Sequence, residues 1–272
     1  MLNYGIFRKT LIDSAASTFL ATIGLIAFVL LFVWAMLNMG AELLSFVSKF
    51  AFLQKIFEMS LGIKVSGEIS LNVLFSACFT HLIVMTLAWA VIIATATRVT
   101  VGEMECGTAD LLLSLPVHRS EVYISSSAVW ILAAVILSFA PLVGIWIGTL
   151  LFETAEAVVL NRYIAPATNF LCLNLAIGGV AAMFGCILNR RSITIGVVVS
   201  IAIVSTTLNF LEPFLEVVKQ VKFLSLLSYF RPVDVVRTGV WPVAHFAVLL
   251  TLALVGWTIG LLVLCRRDIP TA

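Results

Sequence analysis

Six apolar runs, each long enough to cross a lipid bilayer, constrain this chain more than any other feature. They lie at about 17–39, 71–97, 125–152, 167–188, 193–211 and 243–265. A span needs about 17–25 residues, because the hydrocarbon core is about 30 Å thick and a helix rises 1.5 Å per residue. In hydrocarbon every backbone N–H and C=O must find a partner inside the protein, and an α-helix supplies those partners within each run. The runs are continuous rather than alternating, which argues against a transmembrane β-barrel. Composition agrees. The chain is 62% hydrophobic and 11% charged, against about 45–50% and about 25% in soluble domains, so the surplus apolar surface faces lipid. The expected fold class is an all-α membrane protein with six transmembrane helices in one domain, 1–272. The first run is too long for the core of a cleavable signal peptide and reads as a retained span. A net charge of +2 gives no support for nucleic-acid binding.

The segments between the spans add three expectations. Residues 1–16 set Tyr4, Phe7 and Leu11 beside Arg8, Lys9 and Asp13, the pattern of an amphipathic helix lying in the membrane interface ahead of the first span. Residues 40–66 place Leu43, Phe46, Phe50 and Leu53 at helical spacing among Lys49, Lys55 and Glu58, which reads as a second surface helix. Residues 212–242, bracketed by Glu212–Pro213 and Trp241–Pro242, are too polar to span and too apolar to float. They read as a partly re-entrant segment capping a cavity. Basic residues divide eight to eight between the two sides, but the pairs Arg8/Lys9, Arg190/Arg191 and Arg266/Arg267 crowd one of them. Short basic loops at helix ends set orientation, so both termini are expected in the cytoplasm. The five cysteines show no metal spacing and read as small buried hydrophobes.

No P-loop, H-E-x-x-H or G-x-S-x-G motif is present, and the three histidines sit on different segments. The chain therefore holds no recognisable machinery for hydrolysing ATP or a covalent bond. The densest motif lies between the second and third spans. Glu103 and Glu105 precede Gly107 and Thr108; Asp110 opens the run Leu111, Leu112, Leu113, Ser114, Leu115, ended by Pro116; His118 and Arg119 follow. Thr108 suits a helix N-cap, Asp110 the positive end of its dipole, and Pro116 its end. The product is a short leucine-ridged helix on a membrane face. It reads either as a plain elbow or as a docking knob for another protein.

This run resembles the signature loop of ATP-binding-cassette type-2 permeases, the membrane subunits of exporter-type transporters. In that family a Glu-rich stretch, Gly-Thr and a leucine run closed by Pro form the coupling helix that seats in a groove of the ATPase subunit. The match covers about twenty residues, and Cys106 departs from it where the family often carries a charge. The wider likeness is one of layout: an amphipathic N-terminal helix, six spans, and a long amphipathic segment before the last. The resemblance implies an exporter-type permease domain in a bacterial or archaeal cytoplasmic membrane. It also implies a separate ATPase subunit that carries ATP and Mg, and a second permease copy or paralogue. It assigns partner binding to Glu103, Glu105, Gly107, Thr108, Asp110, Leu111, Leu112, Leu113, Pro116 and Arg119, and no cofactor to this chain.

Polar residues inside a span cost energy unless they are paired or face water. In the resembled family, spans two and five line the pathway at the dimer interface, which makes Thr80, His81, Ser205 and Asn209 the candidates for its outer half here. The plain alternative for the hydroxyls is a bond back to their own helix. Gly144/Gly148, Gly256/Gly260 and the cluster Gly178, Gly179, Ala182, Gly185 allow close helix approach. Two other classes stay open: a gradient-driven carrier or channel, which calls for embedded charges or inverted repeats that the sequence lacks, and a membrane anchor or assembly subunit. The substrate is not readable; the hydroxyl-dotted spans lean towards an amphipathic cargo.

Overall fold

The computed structural model describes residues 2–50, 70–105, 117–154, 157–212 and 214–266. These residues form helices and connecting turns, with no strand among them. Six helices are long and apolar enough to cross a membrane, so the chain is an all-α membrane protein. The long helices are α1 (Tyr4–Lys49), α3 (Leu82–Ala96, reached through the short α2, Leu71–Ser76), α4 (Arg119–Leu151), α5 (Ile164–Ile187), α6 (Arg191–Leu211) and α9 (Val243–Arg266). Between α6 and α9 lie two short helices, α7 (Glu216–Val221) and α8 (Pro232–Thr238), joined by 3₁₀ turns.

Residues 1–16 do not form a separate surface helix. α1 runs unbroken through them, through the first span and on to Lys49. The polar stretch needs no break because its hydroxyls bond within the helix. Thr10, Ser14 and Ser17 donate to the carbonyls of Ile6, Thr10 and Ser14, each at 2.9 Å, as such residues can inside apolar helices. Residues 40–49 of the expected second surface helix continue α1. The remainder of that segment, 51–69, lies outside the described residues.

The second span is likewise not one helix. α2 passes into a 3₁₀ turn, Ala77–Thr80, and His81 adopts an extended backbone that caps α3. The 71–97 run contains neither Pro nor Gly, so the break is made by the cap itself. His81 Nδ1 accepts from the Ile83 N–H at 3.3 Å.

α5 is the central column. It packs against α9, α4, α3, α6 and α8, and small residues set those distances. A Cβ on Gly179 would lie 2.5 Å from the Ala253 carbonyl oxygen of α9, and one on Gly144 would lie 2.8 Å from Val29 Cβ of α1. Backbones this close gain packing and lose no side-chain freedom. Polar ties cross the same interfaces. Tyr123 Oη donates to the Trp257 carbonyl at 2.9 Å, Trp257 Nε1 donates to Ser127 at 2.9 Å, and Asn174 donates to Ser138 at 2.8 Å. Cys78, Cys172 and Cys186 are buried in the bundle.

Residues 214–242 fold back into one end of the bundle. Leu226, Leu227, Phe230, Val233, Val235 and Val236 are buried there, and the Phe230 ring stands 5.6 Å from that of Phe170 on α5. Gly239, at φ 69°, ends α8 in the left-handed conformation that glycine adopts without a steric penalty.

Candidate functional site

Two places gather the residues singled out by sequence, one at each end of α3. The first is the face from which the 103–119 loop emerges. Its central part, 106–116, lies outside the described residues, and with it Gly107, Thr108, Asp110, Leu111, Leu112, Leu113 and Pro116. The flanks are described, and both are tied down. Lys9 of α1 meets Glu103 at 3.0 Å. Arg98, in a π-helical turn after α3, meets Asp13 at 3.3 Å. Arg119, which opens α4, donates to the Leu264 carbonyl near the end of α9 at 3.4 Å.

Glu105 and Arg191 together fasten α3 to α6. The Glu105 carboxylate accepts from the Arg191 backbone N–H at 3.1 Å, which sets a negative charge at the positive end of α6. The Arg191 guanidinium turns the other way. It donates to the Ala94 carbonyl at 2.8 Å and to Thr97 Oγ1 at 3.4 Å, a cation on the C-terminal carbonyls of α3. Each contact has the favourable sign against its helix dipole, worth about 0.3–1 kcal/mol where partly exposed. The four described basic and acidic anchors therefore connect the loop to α1, α6 and α9, not only to the helices on either side of it.

The second place lies at the far end of α3, about 22 Å away along its 15 residues at 1.5 Å per residue. The break at His81 leaves a cavity of about 460 Å³ between α1, α2, α3, α6 and the returning segment. Thr80, His81 and Asn209 share its wall, with Phe32 from α1 and Leu227 and Phe230 from the returning segment. His81 is held by two aromatics, with ring centres 4.7 Å from a tilted Phe28 and 6.1 Å from an edge-on Phe32. Thr80 Oγ1 donates to the Ala77 carbonyl at 2.9 Å.

Ser205 is not in that wall. It is buried behind it, and its hydroxyl accepts from the Leu226 N–H at 2.6 Å. Ser225 spends its one proton on the Ser205 carbonyl at 2.9 Å, so across the 3.0 Å between the two hydroxyls Ser205 is the donor. This pair pins the returning segment to α6 and so holds Leu227 and Phe230 over the cavity. Sequence reasoning singled out Ser205 for its place in a polar cluster, and missed Ser225, Lys9 and Arg191, whose partners are distant in sequence. It also missed the aromatic wall, because Phe32 and Phe230 look like ordinary apolar residues of their own segments.

An apolar groove of about 570 Å³ runs from this cavity between α3 and α6 towards the loop face. No family model matches the chain, and no curated protein matches it either.

Proposed function

We propose that this chain is the membrane-spanning permease subunit of an ATP-driven exporter. A separate ATPase subunit would bind ATP and Mg and seat on the 103–119 loop, and a second permease, identical or paralogous, would complete the membrane part. The observation that carries this reading is the signature run itself, flanked by anchors that reach beyond its own two helices. Force applied to the loop passes at Glu103 to α1, at Glu105 to α6 and at Arg119 to α9. A loop that merely turned the chain at a membrane surface would need no such spread of contacts. In this mechanism closure of the ATPases displaces the loop, and the shift reaches the His81 cavity along α3. The chain performs no covalent step, in keeping with the absence of a P-loop from its sequence.

The test is co-purification. The tagged chain is extracted in mild detergent and compared with the Leu112→Arg, Leu113→Arg double variant, which removes the apolar ridge outside the membrane. An ATPase that accompanies wild type and is at least tenfold depleted in the variant supports the reading. Folded wild type with no ATPase in its company would sink it, and attention would turn to a gradient-driven carrier or an anchoring role.

A further inference from the structure

The His81 cavity and the α3–α6 groove share Leu82 and Thr206. They form one concavity, polar at one end and apolar along the rest. We propose that it binds an uncharged amphiphile, an acylglycerol-like lipid, with its oxygen-bearing head beside His81 and Asn209 and an acyl chain in the groove. Binding needs this chain alone; that the lipid is cargo rests on the permease reading.

The polar end defines the head. Among the described residues no Asp, Glu, Lys or Arg lines either space, so a phosphate or carboxylate would find no counter-charge from them, at a steep cost in a membrane interior. His81 Nδ1 accepts from Ile83, an arrangement open only to the neutral ring with its proton on Nε2. The imidazole thus carries no charge and keeps one N–H to donate. Thr80 and Thr206 spend their protons on the Ala77 and Ala202 carbonyls and keep lone pairs to accept. Asn209 offers both an N–H₂ and a carbonyl. Donors and acceptors of this kind match an ester carbonyl next to a free hydroxyl.

The groove defines the tail. Trp89, Ile93, Ile195, Val199 and Ile203 line it, and its hydroxyls at Thr86 and Thr207 are bonded to the Leu82 and Ile203 carbonyls. The buried indole N–H of Trp89 is left without a hydrogen-bond partner among the described residues. Its lining extends over twelve residue steps of α3, about 18 Å. A lining this apolar along its whole length suits a hydrocarbon chain. Both volumes lie within the range of about 300–1,000 Å³ usual for small-molecule sites.

The full chain in phosphatidylcholine nanodiscs, with no ATPase present, is exposed to a diacylglycerol bearing a photoactivatable acyl chain, and the labelled peptides are mapped. Label is expected on residues 82–94 and 195–207. Unlabelled diacylglycerol should compete at least tenfold better than phosphatidic acid with the same chains. His81→Phe, which keeps a ring against Phe28 but loses the donor, should raise the diacylglycerol concentration needed about tenfold. Val199→Trp, which narrows the groove, should cut labelling about fivefold. Label spread evenly over all the spans, equal competition by the two lipids, or label unchanged in both variants would overturn the proposal. So would disulfide capture of two copies through Val199→Cys that abolishes labelling. If a variant loses its monodisperse profile, the wild-type competition alone decides. Failure here leaves the co-purification result standing, and failure there leaves this one.

Discussion

One hydroxyl on α6 governs the roof of the cavity. Ser205 receives the Leu226 N–H in a site from which water is excluded, so its loss leaves a buried donor unpaired. Ser205→Ala should lower stability by about 1–3 kcal/mol, read from thermal unfolding in detergent, and should loosen residues 225–230 towards proteolysis. Thr207→Ala is the matched control. Its hydroxyl bonds only the Ile203 carbonyl of its own helix and is exposed, and a change within about 0.5 kcal/mol is expected there. Arg191 illustrates a second economy of the residue scale. One side chain and one backbone N–H serve two helix ends at once, with Glu105 completing the set.

At the scale of elements, spacing between helices is set where side chains are missing. Gly179 lies against the Ala253 backbone, where no rotamer change can make room. Gly179→Val should force α5 and α9 apart, costing at least about 1–3 kcal/mol, seen as a lower melting temperature and a reduced monodisperse yield. Gly196 of α6 has nothing within 4 Å of its missing Cβ, and Gly196→Ala should lower neither measurement and raise the melting temperature slightly, because alanine favours a helix interior over glycine by up to about 1 kcal/mol. The six spanning helices were legible because long apolar runs permit little else in lipid. Their internal articulation was less so. The N-terminal segment looked like a separate surface helix because Arg8, Lys9 and Asp13 stand beside Tyr4, Phe7 and Leu11; in the fold Asp13 pairs with Arg98 and Lys9 with Glu103 while the helix runs on. The break at His81 carries no Pro or Gly; its only local sign is two adjacent polar residues, Thr80 and His81, inside an apolar run. Of the four pathway candidates, Thr80, His81 and Asn209 meet at one cavity, while Ser205 stands behind it, a distinction that depends on the partner Ser225 twenty residues away.

On the scale of the whole molecule, basic residues at helix ends cluster at the loop face, although the opposite end carries Lys219, Lys222, Arg231 and Arg237. Lys9, Arg98, Arg119, Arg191 and Arg266 all belong to the loop face through their ion pairs or helix ends. With the positive-inside rule this supports the proposal that both chain ends face the cytoplasm, and Cys265 gives a direct test. It is exposed near the end of α9, whereas Cys78, Cys172 and Cys186 are buried. A membrane-impermeant thiol reagent should label the chain in inside-out vesicles and not in intact cells; the reverse pattern would invert the topology. α1 has a further consequence at this scale. Its 46 residues measure about 69 Å end to end at 1.5 Å per residue, more than twice the hydrocarbon thickness of about 30 Å. A single rod of that length is a lever with its fulcrum in the packed middle, at Val29 and Val33 against Gly144 and Gly148. Tilting it by about 5° moves the tips by about 2–3 Å in opposite directions, so a nudge at Lys9 on one side of the bilayer would be delivered, at about two thirds of its amplitude and reversed in sense, to the aromatic tip at Phe46 and Phe50 on the other.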